Sequence, residues 1–195
     1  KLYKELLNFC TLELSAFYFD IRKDVLYCDE IKSQKRTTSI NFLNIILDLL
    51  LKWFAPILSF TTEEIFQILH KNTKGSIHLE NFPKIPPAWK NEQLSIKWHK
   101  MKKVRNVVNT AIEEKRAKKI IGSSLEANLK IYMSQEYLNL FENINLPEYF
   151  ITSSANCEQM KDIKDLFKLE NLSEIGVEVI KSEGKKCPRC WKILK

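Results

Sequence analysis

Glycine is scarce in this chain: 4 in 195 residues, beside 6 prolines and 3 histidines. So few glycines leave no glycine-rich loop to cradle a nucleotide phosphate. His70, His78 and His99 stand apart from one another and from any nucleophile. Adjacent carboxylates such as Glu63-Glu64 and Glu113-Glu114 project in different directions on a helix and do not converge on a substrate. No catalytic residue is assigned in this stretch. The longest apolar run, Ile45 to Ile57, is interrupted by Asp48, Lys52 and Pro56. It is too short and too charged to span a bilayer, so no membrane role is expected. The opening Lys1-Leu2-Tyr3-Lys4-Glu5 lacks the pattern of a signal peptide and an initiator Met. Both termini are therefore expected to be internal to a longer polypeptide.

A secreted disulfide framework is also missing. Of 5 cysteines, Cys10, Cys28 and Cys157 are scattered without regular spacing. A reducing compartment, the cytoplasm or an organelle, follows. What the chain does have is 45% hydrophobic residues, enough for a real core, and 31 Lys and Arg against 24 Asp and Glu. The resulting +7 favours polyanionic partners but is far from a histone-like bias.

Apolar spacing predicts helices over 1–19, 35–55 and 96–120. Pro56 ends the second of these. Thr61-Thr62-Glu63-Glu64 reads as a capping box opening a helix that runs to about His70. Residues 20–33 read as an irregular charged connection, and 71–95, with Gly75, Pro83, Pro86 and Pro87, as a long loop. At Gly122 the period changes. Residues 127–133 and 176–181 alternate as strands do, 149–152 are strand-like, and a short helix is expected over 135–143. Residues 158–170 read as a polar loop or short helix. The expected fold class is mainly α: a helical bundle over 1–122, a small α+β unit over 123–184, and a basic cysteine turn over 185–195.

That turn, Cys187-Pro188-Arg189-Cys190-Trp191, is the sharpest chemical signal. Two cysteines two residues apart can place both thiolates in one tetrahedral zinc sphere. A redox pair and an incidental pair of reduced thiols are the alternatives. A redox pair belongs where a strand opens a helix, whereas this one follows a strand. Only two ligands are present, so zinc is expected to be absent or weakly held here, unless Cys157 or a histidine folds back. Lys185, Lys186, Arg189 and Lys192 surround Trp191, where base stacking competes with packing over the turn. On the 96–120 helix, Lys102 and Arg105 near the start and Lys115, Arg116 and Lys119 near the end suit phosphate contacts. A solvated face, favoured by the helix dipole, explains the 115–119 cluster as well.

Several segments carry a family resemblance. Leu14-Ser15-Ala16-Phe17-Tyr18-Phe19-Asp20-Ile21-Arg22-Lys23-Asp24-Val25-Leu26-Tyr27-Cys28-Asp29 is similar to the start of the anticodon-binding bundle of bacterial-type isoleucyl-tRNA synthetases. Ala55-Pro56-Ile57-Leu58-Ser59-Phe60-Thr61-Thr62-Glu63-Glu64-Ile65-Phe66 resembles a helix junction they share with the valyl and leucyl enzymes. Val104-Arg105, Glu113-Glu114-Lys115-Arg116 and Ile121-Gly122-Ser123-Ser124-Leu125-Glu126-Ala127 resemble the next helix and its exit, and the cysteine turn resembles the first knuckle of the family's C-terminal zinc finger. The resemblance implies a class I ligase that joins isoleucine to its tRNA, using ATP and Mg in an upstream catalytic domain. The present stretch would supply tRNA recognition, as part of a monomer. A zinc-stabilised protein-interaction or scaffold module without a nucleic-acid role is the alternative.

Overall fold

The computed structural model describes residues 1–71, 74–160 and 166–194. They form two compact units, one of residues 25–90 and one of residues 1–24 with 91–195.

Helical backbone runs from Leu2 to Tyr27 in contiguous segments: α1 (Leu2–Asn8), a wide π segment (Phe9–Phe19) and α2 (Asp20–Tyr27). The irregular connection expected from residue 20 therefore begins only after Tyr27. Its charges had hidden a helical stripe: Ile21 and Val25, four residues apart, are both buried while Lys23 faces water.

In the 25–90 unit, α3 (Gln34–Phe54) starts on the Ser33 hydroxyl, which accepts the Arg36 amide at 3.4 Å. Next, α4 (Ser59–Leu69) begins before the expected capping box. The Thr61 box does not form; the helix is already under way, and the Thr62 hydroxyl donates back to the Leu58 carbonyl at 3.0 Å. Glu63, which is not the carboxylate of that box, has a role of its own. Its carboxylate accepts from the Ser76 hydroxyl at 2.7 Å, the Ile77 amide at 3.0 Å and the Gln67 amide group at 2.7 Å. These donors hold its pKa below the ordinary carboxylate range, the Gln67 bond contributing most and Ser76 next. The clamp seats Ile77 in a small core with Leu51, Ala55 and Phe66. Two short 3-10 turns, Ile77–Leu79 and Pro87–Trp89, punctuate what the sequence presents as loop.

The other unit centres on α5 (Glu92–Ala117), which Asn91 caps through the Leu94 amide at 2.9 Å. It begins ahead of Ile96. Met101, Val104, Val108 and Ala111, spaced three and four residues apart, lie on one buried face. That face packs on a sheet, where Leu129, Ile131 and Met133 of β1 (Ala127–Met133) and Val177 and Val179 of β3 (Gly176–Lys181) join it in one core. Each fully buried aliphatic side chain contributes about 1.5–3 kcal/mol. Because α5 precedes residue 122 and the sheet follows it, this compact unit crosses the position where the sequence pattern changes.

The sheet order is β2-β1-β3, with β1 parallel to β2 (Ser154–Gln159) and antiparallel to β3. The β1–β2 crossover carries α6 (Gln135–Leu140) and α7 (Leu146–Phe150). The strand expected over 149–152 is thus the end of a helix. Asn145 caps α7 by accepting the Glu148 amide at 3.2 Å, Pro147 sits in its first turn, and Ile151 stops it in the left-handed region at φ 56°. Of the polar segment 158–170, residues 158 and 159 belong to β2, Phe167 bridges to Val177, and Glu170–Leu172 form a 3-10 turn. Residues 161–165 lie outside the described residues. Finally β4 (Lys185–Lys186) pairs with β5 (Ile193–Leu194), Lys185 opposite Leu194, as a small hairpin holding the cysteines.

Candidate nucleic-acid interface

The C-terminal end of α5 sets the first group of cations. The Ile120 amide bonds back to the Lys115 carbonyl at 3.0 Å and the Lys119 amide to the Arg116 carbonyl at 2.9 Å. This pair is a Schellman cap, and it places Lys119 in the left-handed region at φ 57°. Arg116, Lys119 and Lys181 line one groove with Glu113, so the helix end and the end of β3 bring three cations together. Arg116 is paired with Glu113 at 2.7 Å, but both side chains are about half exposed and the pair is weak in water. Lys115 lines a neighbouring groove beside Lys168, Glu114 and Glu178.

Lys102 and Arg105 sit differently. Lys102 is paired with Glu13 of the π segment and lies 5.3 Å from the Phe17 ring. Arg105 is only 8% exposed. Its Nη1 donates to the Tyr149 carbonyl, and its guanidinium lies 5.3 Å and 5.5 Å from the Phe17 and Tyr149 rings. Burial pushes its pKa down. Arg105 is therefore a pin between α5, α7 and the π segment, and the surface phosphate contact expected of it does not fit its place.

The hairpin supplies the second group. Cys187 donates its amide to the Lys192 carbonyl at 2.8 Å and accepts the Trp191 amide at 3.0 Å on its own carbonyl, closing a turn with Trp191 at φ 63°. Amide donors from Cys190 and Arg189 converge on the Cys187 sulfur and lower its pKa. For Cys190 the Lys192 amide pulls the same way, but burial and the proton shared with Cys187 outweigh it and raise the thiol. A turn whose amides already face the Cys187 sulfur fits two ligands of a zinc site. Among the described residues no further His, Cys, Asp or Glu joins them. Cys157, which the sequence allowed as a third, lies in β2, partly buried against the core.

Trp191 is 61% exposed, with Lys186 Nζ 5.7 Å from its ring, while Lys185, Lys186 and Arg189 are all exposed. The hairpin is docked, because the Ser153 hydroxyl donates to the Leu125 carbonyl at 2.5 Å and accepts the Ile193 amide at 2.7 Å.

Residues 1–132 match the family described as the anticodon-binding domain of tRNA ligase. The chain belongs to that family. It is 54% identical to the isoleucine–tRNA ligase of Pelagibacter ubique over 194 residues, covering 100% of this chain and 20% of that protein. It is 42% identical to the Agrobacterium fabrum enzyme over 99% of this chain, and 41% identical to that of Rhodopseudomonas palustris over 95%. The chain thus corresponds to the anticodon-binding region of isoleucine–tRNA ligase and spans about a fifth of the length of the relatives it matches.

Within this anticodon-binding region, the sequence signals pointed to Arg116 and Lys119 but missed Lys181, which lines the same groove. Lys181 carries no local signal, since only the fold brings the end of β3 beside α5. No helix among the described residues is long and apolar enough to cross a membrane.

Proposed function

We propose that this chain is the tRNA-gripping part of an isoleucine–tRNA ligase and holds the anticodon stem-loop of isoleucine tRNA. The match of residues 1–132 to an anticodon-binding domain carries the reading. Its support in the structure is the groove of Arg116, Lys119 and Lys181 at the end of α5, together with the exposed Lys185, Lys186, Arg189 and Trp191 of the hairpin. Cations in both groups, with Lys115 in the neighbouring groove, neutralise phosphates and release counterions, while Trp191 offers a ring for a base to stack on. Functionally, residues 1–122 are the anticodon-binding part, 123–184 the joining unit and 185–195 the first half of a zinc knuckle.

Cys187 and Cys190 would hold the zinc, whose role would be to fix the hairpin and its cations. In the whole protein, ATP and Mg serve an upstream catalytic domain that this stretch assists by placing the tRNA. The whole enzyme acts as a monomer in the cytoplasm.

Filter binding of the chain to isoleucine tRNA and to unrelated tRNA, across a salt series, tests this. Affinity should fall steeply with salt, and replacing Arg116 and Lys119 by Ala should lower the log–log slope by about one per lost phosphate contact. Absence of tRNA binding at low salt would favour a scaffold module instead.

A further inference from the structure

The cysteine turn is tied to the rest of its unit at two successive residues. Ile193 donates its amide to the Ser153 hydroxyl, and Lys192 sends its side chain to Asp24 of α2, Nζ to Oδ2 2.9 Å. Lys192 also touches both thiol residues through its backbone. Its carbonyl accepts the Cys187 amide at 2.8 Å, and its amide faces the Cys190 sulfur. One residue therefore joins the two halves of the cysteine pair to a carboxylate that lies far away in the sequence.

The hairpin closes without that ion pair. Strands β4 and β5 pair through their own backbones, and the turn is shut by the Trp191 amide on the Cys187 carbonyl at 3.0 Å. What the Lys192 side chain adds is a fixed rotation of its own residue, and with it the aim of the two backbone groups that hold Cys187 and Cys190. Two sulfurs share one tetrahedral sphere only when both are aimed, and metal affinity depends on the groups that orient ligands as well as on the ligands. Asp24 is also near enough for its charge to be felt at Cys190. That field alone would attract a dication, and the Lys192 charge would oppose it. Aim and field thus give opposite signs for the loss of Lys192, which separates them.

We propose that Asp24 is a positioning residue for the metal turn: through Lys192 it fixes the backbone groups that orient Cys187 and Cys190, and so raises zinc affinity without being a ligand. The inference rests on the zinc-knuckle reading and adds to it a residue of α2, outside the turn. Nothing local in the sequence marks Asp24 for this, because only the fold brings α2 beside the hairpin. Metal uptake and the seating of α2 are thereby linked, and the linkage is reciprocal: whatever draws Asp24 away from Lys192 loosens zinc, and zinc in the turn steadies Asp24.

The test uses the whole ligase that contains this chain. Zinc is stripped, and its affinity is measured by competition with a chromogenic chelator, counting only the metal that Cys187→Ser abolishes. Cobalt substitution reads the thiolate-to-metal charge-transfer band in parallel. Asp24→Asn and Lys192→Met should each weaken zinc by about 3- to 5-fold, as much as a partly exposed ion pair can transmit, and both should change the cobalt band. Asp24→Lys combined with Lys192→Asp, which restores the pair with its charges exchanged, should recover most of the parent's affinity. Parent-like affinity in both single variants overturns the proposal. Tighter zinc binding by Lys192→Met overturns it too, and assigns the effect to the field of Asp24. A loss that the exchanged pair does not recover makes Asp24 a structural support only and counts against it. These outcomes leave the zinc-knuckle reading standing, whereas a ligase that takes up no zinc through Cys187 refutes both. Should Asp24→Asn fail to fold, the direction of the Lys192→Met effect decides.

Discussion

Lys192 reaches from the cysteine hairpin to Asp24 of α2, its Nζ 2.9 Å from Oδ2, with the two side chains 20% and 35% exposed. A partly exposed pair of this kind stabilises by under about 1 kcal/mol, less as salt rises. Its consequence is orientation, because it joins the cation-bearing turn to the helical segment that also carries Asp20. In a double-mutant cycle, Lys192→Ala and Asp24→Ala should show coupling that fades at high salt, read from urea midpoints. Strictly additive losses would mean the contact contributes nothing.

Lys119 ends α5 in a conformation that costs a residue with a β-carbon about 1 kcal/mol or more. Lys119→Gly should therefore raise the melting temperature, by an amount equivalent to about 1 kcal/mol, while weakening tRNA binding through the lost charge. Calorimetry and filter binding on the same protein separate the two effects. A variant that gains no stability would show that the left-handed cap is not strained.

Gly184 enters the hairpin at φ 140°, and a β-carbon there would stand 2.2 Å from the Leu194 carbonyl oxygen. No flexible side chain can yield, since the obstacle is backbone. Gly184→Ala should unpair β4 from β5, visible as loss of amide protection in the hairpin by hydrogen exchange, with β1–β3 unaffected. Zinc uptake by the variant should fall in step.

Two buried acids give the chain an alkaline limit. Burial pushes the Cys157 thiol from its ordinary 9.0 up to about 12. Burial likewise raises the Tyr149 phenol from 10.0 to about 12, the Arg105 charge opposing it. For a raised pKa the folded state holds its proton longer than the unfolded chain. The stability so gained is fully present below the unfolded value and is lost as pH climbs through the folded one. Urea midpoints should thus decline from about pH 9 towards about 12. Cys157→Ala should flatten the first part of that decline, by up to about 1.4 kcal/mol per pH unit. A variant that tracks the parent throughout would assign the decline to other groups.

Legibility in the sequence followed where side chains, rather than backbone, decide the structure. The apolar stripes of α3 and α5 were readable because burial selects them residue by residue. Strand β2 was not, since Ser154–Gln159 is mostly polar and is held by backbone pairing to β1 from Asn128↔Ser154 to Met133↔Gln159. The end of α7 misled through its aromatic and β-branched residues, although Asn145 and Pro147 carried the helix-start signal. Of the candidate site, the exposed cations could be found from charge alone. Arg105 could not, because nothing local distinguishes an arginine that faces solvent from one laid between Phe17 and Tyr149. The capping box at Thr61 failed because α4 already begins at Ser59, which places both Thr61 and Glu64 inside the helix.

The hydroxyl of Ser153 is a single hinge pin, shared between Leu125 at the mouth of the sheet and Ile193 in the hairpin. Its proton goes to one partner and its lone pair receives the other, so one short side chain moors the small appendage to the larger fold, and a pull on the hairpin, by metal or by RNA, would strain that mooring before it reached the strands.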